Sequence, residues 1–216
     1  MDNASLQEPK RNSVVIIGAG GHALAVWDAC VSSGLVPVAF VDPYSSAGRH
    51  AGLPVVPKIS DLDFSIVTIV LGIGDNLLRE KVASQLNLEH PRALLPPVIH
   101  RAASVSPSAT LGEGTVVMAN ANIGAFASTG TGVIVNTGAT LEHEGSLGDF
   151  SSLGPGVSTG GKVSIGRAAM VGLNVGIGPG VVVGEEAAIG ANSLVLHDIP
   201  RKVVAYGVPC VPVRSL

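Results

Sequence analysis

Large rings are nearly missing from this chain. Phe, Trp and Tyr together make up 3% of 216 residues, although hydrophobic residues make up 46%. That balance excludes a thick core built on aromatics and suits a thin one filled by aliphatics. Charge is sparse as well, at 13% of residues with a formal net of -3, and no Lys/Arg run offers a nucleic-acid surface. No apolar stretch reaches the roughly 18 residues that a bilayer span needs, so membrane insertion is not expected. The opening MDNASLQEPKRNS is polar, lacks an apolar signal core and reads as a flexible lead-in over residues 1–12. Two cysteines, Cys30 and Cys210, stand far apart without metal-ligand spacing and read as unpaired thiols of a reducing cytosol. The expectation is a cytoplasmic protein with no metal site.

What the chain does have is a six-residue period. Stepping by six from Ile99 to Val195 meets an aliphatic at 15 of 17 positions and Thr at the other two, with Gly next in 11 of the 17. The position four after each is small or β-branched, as at Ala103, Ala121, Val157 and Ala187. Neither a helix period nor strand alternation makes this pattern. It is that of a parallel β-helix, in which each hexad contributes one short strand and one corner. Three hexads make an 18-residue coil, and successive coils stack at about 4.8 Å. The chain holds between five and six coils.

Ahead of the repeats, residues 14 to about 90 read as a small α/β unit in the order βαββα. Val14 to Ile17 is a buried strand, Gly18-Ala19-Gly20-Gly21-His22 a glycine turn, and Ala23 to Ser33 a helix stopped by Gly34. Val36 to Val41 is a second strand ending at Asp42, and Pro43 to Pro57 is turn-rich. Ile66 to Leu71 is a third strand, after which Gly72-Ile73-Gly74-Asp75-Asn76 opens a second helix. Both glycine turns and Asp42 thus stand at the carboxyl ends of strands, where open α/β sheets bind ligands. Gly18-x-Gly20-x-x-Ala23 with Asp42 formally satisfies the dinucleotide fingerprint. Fewer than 80 residues precede the repeats, enough for one mononucleotide half. NAD(P) binding, a purely structural turn and recognition of a nucleotide-linked ligand all remain open on these residues, the last favoured by helix N-terminal amides suited to phosphate. Pro91, Pro96 and Pro97 make a stiff connector.

Exceptions to so regular a repeat carry information. Asn136 and Glu142 are polar at the glycine position in neighbouring hexads, and Glu142 opens the run Glu142-His143-Glu144. His143 falls at a corner, where side chains point outward. Its spacing alone leaves two readings: a surface histidine with a chance acidic neighbour, or an imidazole held by Glu144 and suited to taking a proton near neutral pH. One coil on from His143 lies Gly161, placing an unobstructed backbone amide roughly 5 Å from the imidazole. A base and an N–H donor so placed suit the two ends of an acyl transfer. No Cys or Ser is placed as a nucleophile, which favours direct transfer over a covalent intermediate.

The hexads, with GAGGH at 18–22, FVD at 40–42, GIGDN at 72–76, NTGATLEHE at 136–144 and YGVP at 206–209, resemble the sugar acetyltransferases of the sialic-acid O-acetyltransferase and bacillosamine N-acetyltransferase type. The likeness runs from Ser13 to Arg214. It implies a left-handed prism, an exception to right-handed crossovers, behind a Rossmann-like unit at 13–95, with the β-helix at 96–200 and a tail at 201–216 folded back along it. It implies acetyl-CoA as co-substrate, a nucleotide-linked amino sugar as acceptor, and a homotrimer with active sites between subunits. Carried across residue by residue, His143 is the candidate general base and Glu144 its orienting partner. Asn136 would contact the sugar near its amine, while Gly20, Gly21, His22, Asp42, Gly74, Asp75 and Asn76 would hold the nucleotide-sugar. The Gly161 amide would bind the thioester carbonyl, and CoA would lie over Gly160, Gly161 and later coils up to Gly178.

Two departures stand out. Some relatives carry a second active-site histidine where this chain has Ser152, and the usual GVPAK ending reads Gly207-Val208-Pro209-Cys210-Val211, without the lysine. The expected reaction is N-acetylation of a 4-amino-4,6-dideoxy sugar, GDP-perosamine being the preferred acceptor, in a lipopolysaccharide O-antigen setting. The alternatives are O-acetylation of a sugar hydroxyl, or a non-catalytic scaffold. A zinc-dependent anhydrase would need several histidines where His143 stands alone.

Overall fold

The computed structural model describes residues 12–58, 68–89 and 97–216. The lead-in, the start of the third strand at Ile66 and most of the proline connector lie outside the described residues.

The first unit is a five-stranded sheet flanked by two helices. In chain order its elements are β1 Ser13–Ile17, α1 Gly21–Ser32, β2 Val36–Val41, β3 Arg49–His50, β4 Leu53–Val56, β5 Thr68–Leu71 and α2 Asn76–Glu89. The strand order is β3-β4-β2-β1-β5. β1 lies between β2 and β5 and is buried along its whole length, which is why it reads as a continuous apolar run rather than an alternating one. The segment 43–57, expected to be turns, holds the hairpin β3–β4, and β4 pairs parallel to β2 through Phe40↔Val55 and Val41↔Val56. Pro54 within four residues argues against a strand on sequence grounds. The fold admits it because Ala51 and Gly52, both at positive φ, make the tight turn into β4.

The second unit is the left-handed β-helix. Sixteen two-residue strands run from Val98–Ile99 to Leu194–Val195, and paired residues lie 18 apart, as in Ile134↔Val116 and Ile134↔Ser152. One aliphatic per strand, Val117, Ile123, Val135, Leu141, Leu153 and Ile165 among them, fills the interior. Together with the two longer strands that follow Pro200, these short strands form faces of eight, six and four strands. Past Pro200, the strand Val203–Gly207 pairs parallel with Ala188–Ile189 and is followed by an antiparallel return, Cys210–Ser215. The tail expected to fold back along the prism is therefore the closing rung of the eight-stranded face.

Outward-facing residues decide where the two units meet. On the six- and four-stranded faces they are mostly polar, such as Asn122, Thr140 and Ser158, or Ser128, Ser146 and Ser164. On the eight-stranded face they begin with Val98, Val116 and Ile134, all buried. Val98, Val116 and Met118 share a core cluster with Ala23, Val26, Ala29 and Cys30 of α1. On the other side of the sheet, Phe150 leaves a prism corner to join Ile17, Leu71, Ala83 and Leu86.

Candidate active site

From Gly114 to Asn192 each corner of the prism is a two-residue turn whose second residue is in the left-handed region. One corner column carries Phe126, Glu144, Lys162 and Gly180, at φ 58°, 57°, 61° and 71°. Such a conformation costs an ordinary L-residue about 1–2 kcal/mol. In this column His143 Nδ1 lies 3.1 Å from Glu144 Oε2, both side chains being about half exposed. With Nδ1 protonated and donating to Glu144, the Nε2 lone pair faces away from the carboxylate. Glu144 Oε1 faces Lys162 Nζ at 3.7 Å. A Cβ on Gly161 would stand 2.4 Å from His143 Cε1 and Nε2, so the ring occupies the space that any larger residue there would fill. Gly160 donates to the Ile177 carbonyl at 2.7 Å and Lys162 to the His143 carbonyl at 2.9 Å, while Gly161 N–H between them has no backbone acceptor among the described residues. Gly160 serves packing, since a Cβ there would meet Pro179 N at 2.6 Å. Gly178 has ordinary clearance, 3.5 Å to Val195 O.

A cavity of about 450 Å³ opens at the carboxyl edge of the first sheet, bordered by Gly18, Asp42, Tyr44, Lys58, Ile73 and Leu78. The Asp42 carboxylate holds the rim together, Oδ2 accepting from Ala19 N–H and Oδ1 from Tyr44 N–H, each at 2.9 Å. Gly20 and Gly21 are exposed at the start of α1, and a Cβ on either would meet nothing within 4 Å. His22 follows them on the helix. Burial, reinforced by the Arg79 charge, lowers its pKa to about 4, and its buried Nε2 has no hydrogen-bond partner.

At the second glycine turn, the side chains expected to hold ligand have other work. Asp75 Oδ1 accepts from Leu78 N–H at 2.8 Å and caps α2. Asn76 is 7% exposed. It donates to the Ala168 and Ala169 carbonyls at 3.2 and 3.0 Å, and its Oδ1 accepts from Arg79. Its side-chain amide thus joins α2 to the prism. Arg79, not singled out on sequence, is 1% exposed and lies beside it. The missed signal was in the helix itself: Asn76, Arg79, Ala83 and Leu86 form the buried stripe of α2, with two polar groups where apolar ones are usual. Phe126, in the same corner column one coil before Glu144, is exposed.

The structure does not gather the expected residues into one place within the chain. The first unit docks on the eight-stranded face and on the corner column of Gly132, Phe150 and Ala168, whereas His143 stands on the corner between the other two faces. Asn136 is on the third corner column, one strand away from His143, with its Oδ1 taken by Thr137 N–H at 2.9 Å. Ser152 is buried on the eight-stranded face, and Cys210 is buried in the last hairpin. Among the described residues, no group of three or more His, Cys, Asp or Glu could hold a metal ion, and no helix is long and apolar enough to cross a membrane.

Residues 13–86 match the PglD N-terminal domain family. The whole chain is similar to a histidine-to-asparagine variant of perosamine N-acetyltransferase from Caulobacter crescentus, solved in complex with CoA and GDP-perosamine. Identity is 36%, the TM-score is 0.88, and 94% of this chain and 98% of that one are covered. It is also similar to the acetyltransferase domain of PglB from Neisseria gonorrhoeae in complex with acetyl coenzyme A, at 31% identity and TM-score 0.88, covering 94% of this chain and all of that one. WeeI from Acinetobacter baumannii, at 19% identity and TM-score 0.85 over 93% of this chain and 100% of that one, shares the fold. A curated relative, the uncharacterized protein L142 of Acanthamoeba polyphaga mimivirus, is 31% identical over 112 residues, 51% of this chain and 22% of that protein's length.

Proposed function

The chain belongs to the hexapeptide-repeat, left-handed β-helix family of nucleotide-sugar N-acetyltransferases, and on that premise we propose that it transfers the acetyl group of acetyl-CoA to the 4-amino group of a nucleotide-linked 4-amino-4,6-dideoxy sugar, GDP-perosamine being the favoured acceptor. The observation that carries this reading is the stacking of His143, backed by Glu144, against the open amide of Gly161. The free amine attacks the thioester carbon and its proton passes to His143 Nε2; the C–S bond then breaks, and the departing sulfur takes that proton back from His143, so that CoA leaves as the thiol and the imidazole is restored. Gly161 N–H steadies the oxyanion between these steps. Cys30 and Cys210 are buried away from this corner, which favours direct transfer in a ternary complex. A well-placed base contributes about 10²–10⁴-fold.

The acceptor's nucleotide would lie in the cavity beside Asp42, whose size falls within the range of small-molecule sites. Because that cavity and His143 are on opposite sides of one prism, the site needs a second copy of the chain. A homotrimer in which the first unit of one subunit reaches the His143 corner of the next satisfies this, and domain limits at 13–95 and 96–200 fit such an exchange. A cytoplasmic setting and O-antigen sugar modification complete the reading.

A thiol-release assay with acetyl-CoA against UDP-, GDP- and dTDP-linked 4-amino sugars and their 4-hydroxy counterparts tests it. Turnover confined to amino sugars, lowered at least tenfold by His143→Ala, is expected. Release only on hydroxyl acceptors would replace the reading by O-acetylation, and light scattering that finds a monomer in an active preparation would remove the shared site.

A further inference from the structure

Among the described residues, one heavily bonded side chain lies outside both the cavity and the His143 corner. Arg79 is 1% exposed, and no carboxylate accepts a hydrogen bond from it among the described residues. Its fork is spent on carbonyls. Nε donates to Gly132 O at 2.8 Å, and Nη2 to Phe150 O at 2.7 Å, Ser151 O at 3.4 Å and Asn76 Oδ1 at 2.8 Å. Nη1 donates to Ile73 O at 3.0 Å and Gly74 O at 3.1 Å. Half of the fork thus holds the prism corner and the other half holds the second glycine turn.

The grip on that turn has a consequence for its other side. A trans peptide points its C=O and the following N–H in opposite directions. With the Ile73 and Gly74 carbonyls drawn back onto Arg79, the Gly74 and Asp75 N–H groups face away from it. Neither has a backbone acceptor among the described residues. Ile73 itself borders the 450 Å³ cavity. The turn therefore presents N–H donors at the carboxyl edge of the sheet with a cation buried behind them, an arrangement that favours anions. Burial lowers the Arg79 pKa only to about 10, so the charge is present at neutral pH.

Resting on the functional reading above, we propose that Arg79 is a positioning residue for the nucleotide-sugar: it shapes the Ile73–Asp75 turn into a donor surface for the acceptor's diphosphate and ties that surface to the prism. It touches no substrate atom. A lysine keeps the charge and cannot span all six acceptors, so Arg79→Lys separates shape from charge, and Arg79→Met removes both.

The test is titration calorimetry of wild type, Arg79→Lys and Arg79→Met with GDP and with guanosine, alongside steady-state kinetics in which each substrate is varied in turn. In Arg79→Lys, GDP affinity and the KM for the nucleotide-sugar are expected to worsen about tenfold or more. Guanosine affinity, the KM for acetyl-CoA and kcat stay within about twofold. Rescue by lysine relative to methionine is expected to be partial. Equal losses of GDP and guanosine, an equal rise in both KM values, or kinetics unchanged in a destabilised protein would each overturn the proposal, reducing Arg79 to a structural strut. If Arg79→Met does not fold, the lysine variant decides alone. A wild type that binds GDP and transfers no acetyl group would sink the functional reading only; one that binds no nucleoside diphosphate would sink both.

Discussion

The three corner columns of the prism turn the chain through the same left-handed conformation with different residues. One column uses Asn120, Gly138, Gly156, Asn174 and Asn192, the residues that adopt positive φ most readily. The other two hold glycine only at Gly180 in one and at Gly114 and Gly132 in the other, and otherwise use Phe126, Glu144 and Lys162, and Phe150, Ala168, Glu186 and Lys202, at angles of 54° to 61°. Those side chains carry a strain that Asn or Gly would relieve. Phe150 enters the core under α2. Glu186 pairs with Arg167, which in turn reaches Glu80 of α2 at 2.5 Å. Glu144 holds His143. Several of the strained corners thus hold a partner, on the first unit in the case of Phe150 and on His143 in the case of Glu144.

The sharpest way to break this comparison is at adjacent glycines of the Glu144 column. Gly161→Ala forces the His143 ring aside and is expected to lower kcat by roughly 10²-fold with thermal unfolding nearly unchanged. Gly160→Ala, whose Cβ would meet Pro179 backbone, is expected to do the reverse, costing about 1–3 kcal/mol of stability. Comparable kinetic losses in both would mean that the His143 contact is only packing.

On the docking column, Phe150→Ala is expected to cost about 3 kcal/mol in denaturant unfolding and to loosen the first unit before the prism melts. A single unchanged transition would show that the two units do not depend on this corner.

The docked side also holds His22. Its folded pKa of about 4 lies below the ordinary 6.5, so between these values the unfolded chain binds the proton that the folded chain refuses. Stability contributed by neutral His22 is then complete above about pH 6.5 and is lost as pH falls towards 4, on the order of 2–3 kcal/mol. Melting curves of wild type and His22→Gln across that window should converge with falling pH; parallel curves would refute it.

The smallest effect is the most diagnostic. Glu144→Asn should relieve the corner, adding up to about 1 kcal/mol of stability, and should cost about tenfold in kcat through the unheld imidazole. Lower stability together with unchanged activity would invert the comparison.

The prism was legible because its register is local. A buried aliphatic every six residues and strands paired at 18 leave one way to stack, and the closing strand at Val203–Gly207 departs from that period and was missed for that reason. His143, Glu144 and Gly161 were found by the same counting, as neighbours one coil apart. Strand β4 escaped because two pairs on β2 outweigh the preference of Leu53-Pro54-Val55-Val56. That the Asn76 side chain bonds to the prism was not legible because its partners, Ala168 and Ala169, lie more than 90 positions on.

By itself, then, the sequence determined the coil, its corners and the juxtaposition of His143, Glu144 and Gly161 at one of them, since hexad burial and an 18-residue step are properties of neighbouring residues. Only the tertiary structure decided that the α/β unit sits on the eight-stranded face opposite His143, that Asn76 and Arg79 serve the joint, and that the cavity and the imidazole of one chain cannot meet. Those outcomes depend on which outward faces are apolar and on where buried carbonyls find donors, and both are settled by packing between segments far apart in the chain.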